Sequence, residues 1–242
     1  METKKKQYIY AVIGAILVIV AVSIIVRMQQ GNASPFAGPG LFTIIDDANT
    51  VVMAETTDLD PAVRVSYEDR ITGLVEQIAG ADPATEEVDV YYSNLALFYR
   101  YLGDYGHAYQ AYLDSLAIEP KNRITWVNLA DTLIYMRAYQ SAEAAYRKAI
   151  EINPGALDTY HKLAQLYTQQ YPDNLDKAKQ TYQDGLDIAF GSDDGYISHF
   201  AEWLAQHGYA KDAIGQYQKL KQLRPESADI IQREIDRLSA AQ

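Results

Sequence analysis

The chain has 242 residues, which suits one membrane-spanning helix and one soluble domain of about 180 residues. It contains no cysteine, so disulfides, thiol catalysis and thiolate metal sites are excluded. The first 30 residues carry a net +3, which leaves −14 on the rest of a chain whose total is −11. Such an acidic body repels phosphates and anionic headgroups and argues against nucleic acid as a ligand. It suits a basic partner, and it also serves solubility alone.

Residues 1–7 form a basic N-terminus holding Lys4, Lys5 and Lys6. Residues 8–26 then run without a charge, and twelve of these 19 are Ile, Leu or Val. A helix of that length rises roughly 28 Å, close to the ~30 Å hydrocarbon core, and its aliphatic residues favour insertion by on the order of 5 kcal/mol. The predicted element is an uncleaved transmembrane anchor over 8–27, with Tyr8 and Tyr10 in an aromatic belt. A cleaved signal peptide would have a shorter apolar region and a small-x-small site, and none stands beside this run. Three lysines before the span against Arg27 after it predict a cytoplasmic N-terminus and a domain facing the periplasm or the cell exterior.

A linker covers residues 28–60. Pro35, Gly38 and Pro39 predict an extended start. Short apolar runs at 41–45 and 51–53 are expected either to tuck against the first helices or to lie on a bilayer or membrane partner. Residues 61–82 read as an accessory helix, with Asp60 as N-cap, Pro61 at the first helical position and a stripe of Ile71, Leu74, Val75 and Ile78.

A 34-residue period follows. Tyr92, Leu95, Ala96, Tyr99, Ala108, Tyr112, Ser115 and Pro120 recur as Trp126, Leu129, Ala130, Leu133, Ala142, Tyr146, Ala149 and Pro154. A third copy opens with Tyr160, Leu163, Ala164 and Tyr167, then places Ala178 and Tyr182 two residues late. It departs from the pattern at Gly185 and ends at Phe190 where the others have proline. A fourth has Ile197, Phe200, Ala201, Leu204, Ala213, Tyr217, Leu220 and Pro225. Small residues let two antiparallel helices approach, and large ones fill the space around the contact. Gly103 and Gly208 suit turns that need positive φ, and the prolines end second helices. Of twenty tyrosines, eight fall in repeat slots and are core by default.

This pattern closely resembles the tetratricopeptide repeat. The resemblance implies an all-α fold, a right-handed solenoid of about four helix pairs behind the anchor. Its repeats span 88–121, 122–155, 156–192 and 193–226. Residues 227–242 form a capping helix with Ile230, Ile231, Ile235 and Leu238 toward the last repeat and Gln232, Arg233, Asp236 and Arg237 toward water.

The resemblance also implies a groove lined by the first helix of each repeat. Carried over, that face holds Ser93, Leu97, Arg100 and Tyr101, then Val127, Asn128, Asp131, Ile134 and Tyr135. The third copy adds Asp158, His161, Lys162, Gln165 and Gln169, and the fourth Ser198, Glu202 and Gln206. Some family members clamp a C-terminal carboxylate from defined slots. Asn128 and Lys162 match that set in type or charge, whereas Ser93, Leu97 and Asp158 do not, so such a clamp is not expected. Tyr101 and Tyr135 are the candidate aromatic anchors, with packing between neighbouring repeats as the competing reading.

Signs of chemistry are missing. His107, His161, His199 and His207 form no metal-binding spacing, and residues 191–195 lack the alternating oxygens of a calcium loop. Asp173 and Asp176 read as an N-cap and a first-turn residue. No nucleophile elbow is present. No catalytic residue, metal or cofactor is expected, and no small-molecule substrate. The expected function is a non-enzymatic, membrane-anchored scaffold for protein–protein interaction, an accessory or assembly subunit of a membrane complex on the outer face. Its partner would be a protein or an extended peptide segment. Three alternatives stay open: a periplasmic chaperone-like receptor for exported polypeptides, a cytosol-facing receptor or regulator, and an enzyme with an unrecognised site.

Overall fold

The computed structural model describes residues 42–81, 86–173 and 175–241. The apolar segment 8–26 and the proline-rich start of the linker lie outside the described residues. Among the described residues no helix is long and apolar enough to cross a membrane. They form ten α-helices and no strand: α1 Pro61–Gly80, α2 Glu86–Tyr101, α3 Tyr105–Ile118, α4 Arg123–Tyr135, α5 Tyr139–Ile152, α6 Leu157–Gln170, α7 Asp176–Ile188, α8 Asp194–Gln206, α9 Ala210–Leu223 and α10 Ala228–Ala240, with a 3-10 turn at Pro225–Ser227. The chain divides into two compact units. One runs to Ile118 and includes Tyr135–Ser141; the other holds Glu119–Ile134 and everything from Ala142.

In the first unit, Asp60 caps α1 by accepting from the Ala62 amide at 2.7 Å, with Pro61 at the helix start. Only Ile71 of α1 is buried. Tyr67 reaches the next helix, with ring centroids 5.6 Å from Phe98 and 5.4 Å from Tyr101. The α2–α3 pair closes on Ala96 and Ala108, both fully buried, with Tyr112 and Leu116 packed around them. Gly103 turns the chain between the two helices at φ +79.

The linker tucks against these helices. From residue 44 to 57 it runs as a strap past the inter-helix turns, in the reverse of repeat order. Ile44 is buried, and the Ile45 amide donates to Ser141 Oγ at 2.9 Å. Val52 N–H donates to Met136 C=O, Glu55 N–H to Gly103 C=O, and Gly106 N–H to Met53 C=O, at 2.8, 2.9 and 2.8 Å. The contact at Gly103 is so close that a Cβ would lie 2.1 Å from the Glu55 carbonyl oxygen. Asp46 adds an N-cap to α5, accepting the Gln140 and Ser141 amides at 2.9 Å each.

In the second unit the small residues Ala130, Ala142, Ala164, Ala178, Ala201 and Ala213 are all fully buried, as close helix approach requires. Tyr146, Tyr167, Tyr182 and Phe200 are the large residues around them. Helices α5 and α9 end two residues before Pro154 and Pro225. At the corresponding place after α7, Phe190 and Gly191 both take positive φ. Asp193 caps α8 through the Tyr196 amide at 2.7 Å. Asp173 does not cap α7: the N-cap position belongs to Leu175, which offers no side-chain acceptor, and Asp176 sits in the first turn. On α10 the buried face is Ile231, Ile235 and Leu238, whereas Ile230 is 65% exposed, one position off the i, i+4, i+7 stripe.

Candidate functional site

The residues expected on the first-helix face divide between the two units. In the first, the Ser93 and Ser115 hydroxyls are hydrogen-bonded at 2.8 Å, and Leu97 is half-buried. Arg100 lies 5.8 Å from the Tyr101 ring centre. Tyr101 leans on Tyr67 and Phe98 yet stays 41% exposed. Tyr135 stacks on Tyr105 at 5.5 Å and stays 56% exposed. Each tyrosine is thus both a packing residue and an open aromatic surface.

In the second unit Val127 points inward and is 6% exposed, while Asn128 and Ile134 are half-buried. Asp131 on α4 accepts both Lys162 Nζ of α6, at 2.9 and 3.0 Å, and the Tyr146 hydroxyl of α5. Asp158 pairs with Arg123 at 3.0 Å on the exposed rim.

Helices α6 and α8 then present matching faces. His161, Gln165, Thr168 and Gln169 follow helical spacing on α6, as do His199, Glu202, Trp203 and Gln206 on α8. Together with Tyr182 and His207 they line a cavity of about 360 Å³. The His161 and His199 rings lie 4.8 Å apart. His161 Nδ1 meets the Tyr182 hydroxyl at 3.0 Å, and Nε2 meets the Gln165 amide nitrogen at 2.9 Å. An amide nitrogen only donates, so Nε2 accepts and the ring proton sits on Nδ1. Burial, then the neighbouring His199 and Lys162, lower the His161 pKa below its ordinary value. Trp203 donates to Thr168 Oγ1 at 2.8 Å, and His207 Nδ1 donates to the Trp203 carbonyl at 2.7 Å. Three imidazoles share this cavity, yet among the described residues no group of three or more His, Asp or Glu side chains is placed to hold a metal ion.

A larger cavity of about 600 Å³ opens elsewhere in this unit, between α5 and α7 over Tyr160, Leu163 and Tyr167 of α6. Its walls are Arg147, Lys177 and the acidic Glu151, Asp184 and Asp187. Arg147 donates to the Tyr167 hydroxyl at 2.8 Å and to Glu143 at 2.9 Å, so much of this polar lining is already paired.

Sequence reasoning placed His161, Gln165, Gln169, Glu202 and Gln206 on this face and set His199 on a first helix that can face the groove, but left Trp203 and His207 out of the set. The slot periodicity was available for part of it: Gln165 and Glu202, and Gln169 and Gln206, are the same positions of successive first helices.

The model of one family, "Tetratricopeptide repeat", matches residues 90–122 and 125–155. Residues 90–155 carry two tetratricopeptide repeats. Solved structures agree on the fold. A crystal structure of MamA protein aligns at TM-score 0.52 with 18% identity, over 69% of this chain and 88% of that one. A second MamA crystal structure aligns at 0.50 and 18% identity, over 72% and 99%. The MamA RS-1 ArsTM double mutant aligns at 0.51 and 17% identity, over 69% and 90%. These identities carry the fold and nothing finer. No curated protein sequence matches the chain.

Proposed function

We propose that this tetratricopeptide repeat chain is a non-enzymatic interaction scaffold that holds an extended segment of a protein partner on the first-helix faces of its repeats. The observation that carries the reading is the shared face of α6 and α8. Two successive first helices offer side chains at i, i+4 and i+8 that converge on one open, polar cavity. Large, partly exposed aromatics of the kind that anchor partners stand at Tyr101 and Tyr135, the last residues of the first helices α2 and α4.

The scaffold is anchored in a membrane by residues 8–27 and works outside the cytoplasm beside a membrane complex, as an accessory or assembly subunit. This part rests on the uncharged run at 8–26 and the three lysines before it. Anchoring raises the local concentration of repeats near membrane partners, so individually weak contacts suffice.

Site-specific photocrosslinking tests both parts. Photoreactive residues at Tyr101, Tyr135 and Gln165 in native membranes are expected to capture one dominant membrane-protein partner. A broad spread of exported chains would replace this with a chaperone-like receptor. Cytoplasmic proteins alone would reverse the topology, and no capture from any of the three positions in a folded protein would remove the scaffold reading.

A further inference from the structure

The cavity between α6 and α8 has an unusual balance of charge. Its lining holds no lysine or arginine. Lys162, the nearest cation on α6, is neutralised by Asp131. The one carboxylate on the lining is Glu202, exposed, with its Oε1 accepting only a long 3.3 Å bond from Ser198. His207 adds an acceptor: in its neutral form the ring uses Nδ1 as donor to the Trp203 carbonyl, which leaves Nε2 with a lone pair. Gln169 and Gln206 line the same rim, and each amide carries a carbonyl oxygen. An exposed carboxylate, a ring nitrogen and amide oxygens form a receptor for a cation that brings several hydrogen-bond donors. The volume, about 360 Å³, is at the small end for ligand pockets and fits one long side chain.

We propose that this cavity receives the arginine or lysine side chain of an extended partner segment, with Glu202 as its counter-ion. The inference rests on the reading of the first-helix face as the groove, and it specifies the partner's chemistry there. The acidic body of the chain, −14 beyond residue 30, draws a basic segment toward it. The ring of His161, in the cavity wall 4.8 Å from that of His199, makes the capture pH-dependent. The charged and titratable groups facing it are Lys162 on α6, Tyr182 on α7, and His199, His207 and Glu202 on or beside α8, with Tyr217 of α9 also within reach of Glu202. Glu202 is the one carboxylate among these, so a proton gained by His161 sets a cation beside the guest and weakens its hold.

The test uses the full-length chain in detergent and a fluorescein-labelled peptide of alternating Arg and Ser, with its citrulline counterpart as a neutral isostere. Fluorescence polarisation at pH 7.5 is expected to show at least tenfold tighter binding of the arginine peptide. Glu202→Gln is expected to lower that affinity about tenfold, while Asp212→Asn, an exposed acid that is not on the cavity lining, leaves it unchanged; equal losses from Asp173→Asn would count likewise against the cavity. Binding of the arginine peptide is expected to weaken as pH falls, and less so in a His161→Gln variant. Equal binding of the two peptides, or equal losses from Glu202→Gln and Asp212→Asn, would overturn the proposal and leave only diffuse attraction to an acidic surface. If the arginine peptide does not bind while photocrosslinks at Gln165 still capture a partner, this inference fails and the scaffold reading stands. If neither occurs, both fall.

Discussion

The hydroxyl of Tyr196 occupies the space that a side chain at Gly185 would need. A Cβ at Gly185 would lie 2.2 Å from Tyr196 Oη and 3.1 Å from Tyr160 Cβ. The two positions have changed together: Thr125 and Thr159 stand in the slot of Tyr196, and Ser115 and Ala149 in the slot of Gly185. The larger residue on α8 is accommodated by the smaller one on α7. The hydroxyl has no hydrogen-bond partner there, and burial pushes its pKa well above the ordinary tyrosine value.

This pairing makes Gly185→Ala an overpacking change, expected to destabilise by about 1–3 kcal/mol in denaturant unfolding. Adding Tyr196→Thr is expected to restore most of the loss, a non-additivity that independent sites would not show. Tyr196→Phe alone is expected to be neutral or slightly stabilising, because it removes a buried polar atom without a partner. Additive losses in the double variant would break the pairing.

Arg137 occupies the repeat slot that Gly103 fills in the first repeat, and it takes the same left-handed conformation, at φ +59. A non-glycine residue there costs roughly 1–2 kcal/mol, whereas glycine loses about 0.5–1 kcal/mol of chain entropy on folding. Arg137→Gly is therefore expected to stabilise by about 0.5–1 kcal/mol, seen as a higher urea midpoint with unchanged slope. A lower midpoint would mean that the exposed Arg137 side chain contributes more than its backbone conformation costs.

Asp46→Ala removes the carboxylate that caps α5 from the strap. The expected loss is about 0.5–2 kcal/mol, as for other N-caps. Hydrogen exchange should quicken first at the Gln140 and Ser141 amides and at the strap amides of Ile45 and Val52. Faster exchange at Gln140 and Ser141 with an unmoved strap would confine the role of Asp46 to capping.

Two histidines respond to acid in opposite senses. The Asp104 carboxylate bonds His107 at 2.7 Å and raises its pKa above the ordinary value despite burial. The stabilisation from His107 is therefore complete below the unfolded-state pKa and is lost as pH rises through the higher folded value. His161 is lowered, so the unfolded chain takes up its proton first and stability falls as pH drops below the unfolded-state pKa toward the folded one. The stability difference between wild type and His107→Gln is expected to grow from pH 8 to pH 5.5. The difference for His161→Gln is expected to shrink or change sign over the same window. Parallel trends in both variants would contradict the opposed shifts.

The helix pairs were legible because each repeat states the same small-and-large rule in its own residues. Ala96 and Ala108, or Ala201 and Ala213, identify a helix contact without reference to anything distant. The Asp46 cap was not legible, since its amide partners lie 94 and 95 residues away and no local motif links them. Arg137 hid a turn slot because arginine gives no sign of positive φ. Gly185 looked like a flaw in the third repeat and is a response to Tyr196, a relation that appears only once the two helices are packed. The α6–α8 cavity was half-visible. The resemblance to the repeat family assigned its face, but the approach of His161 to His199 depends on how two helices lean together.

The strap also decides how the first unit would respond to mechanical load. A pull on the chain from upstream of residue 42 meets Ile44, Asp46 and Val52 at the turn of the second repeat, then Met53 and Glu55 at the turn of the first, before it reaches α1. Backbone bonds at separate stations share such a tension in sequence, so the helix pair is shielded until the last of them gives way. The linker acts as a strain relief, like the clamp that keeps a tug on a cable from reaching the solder joint.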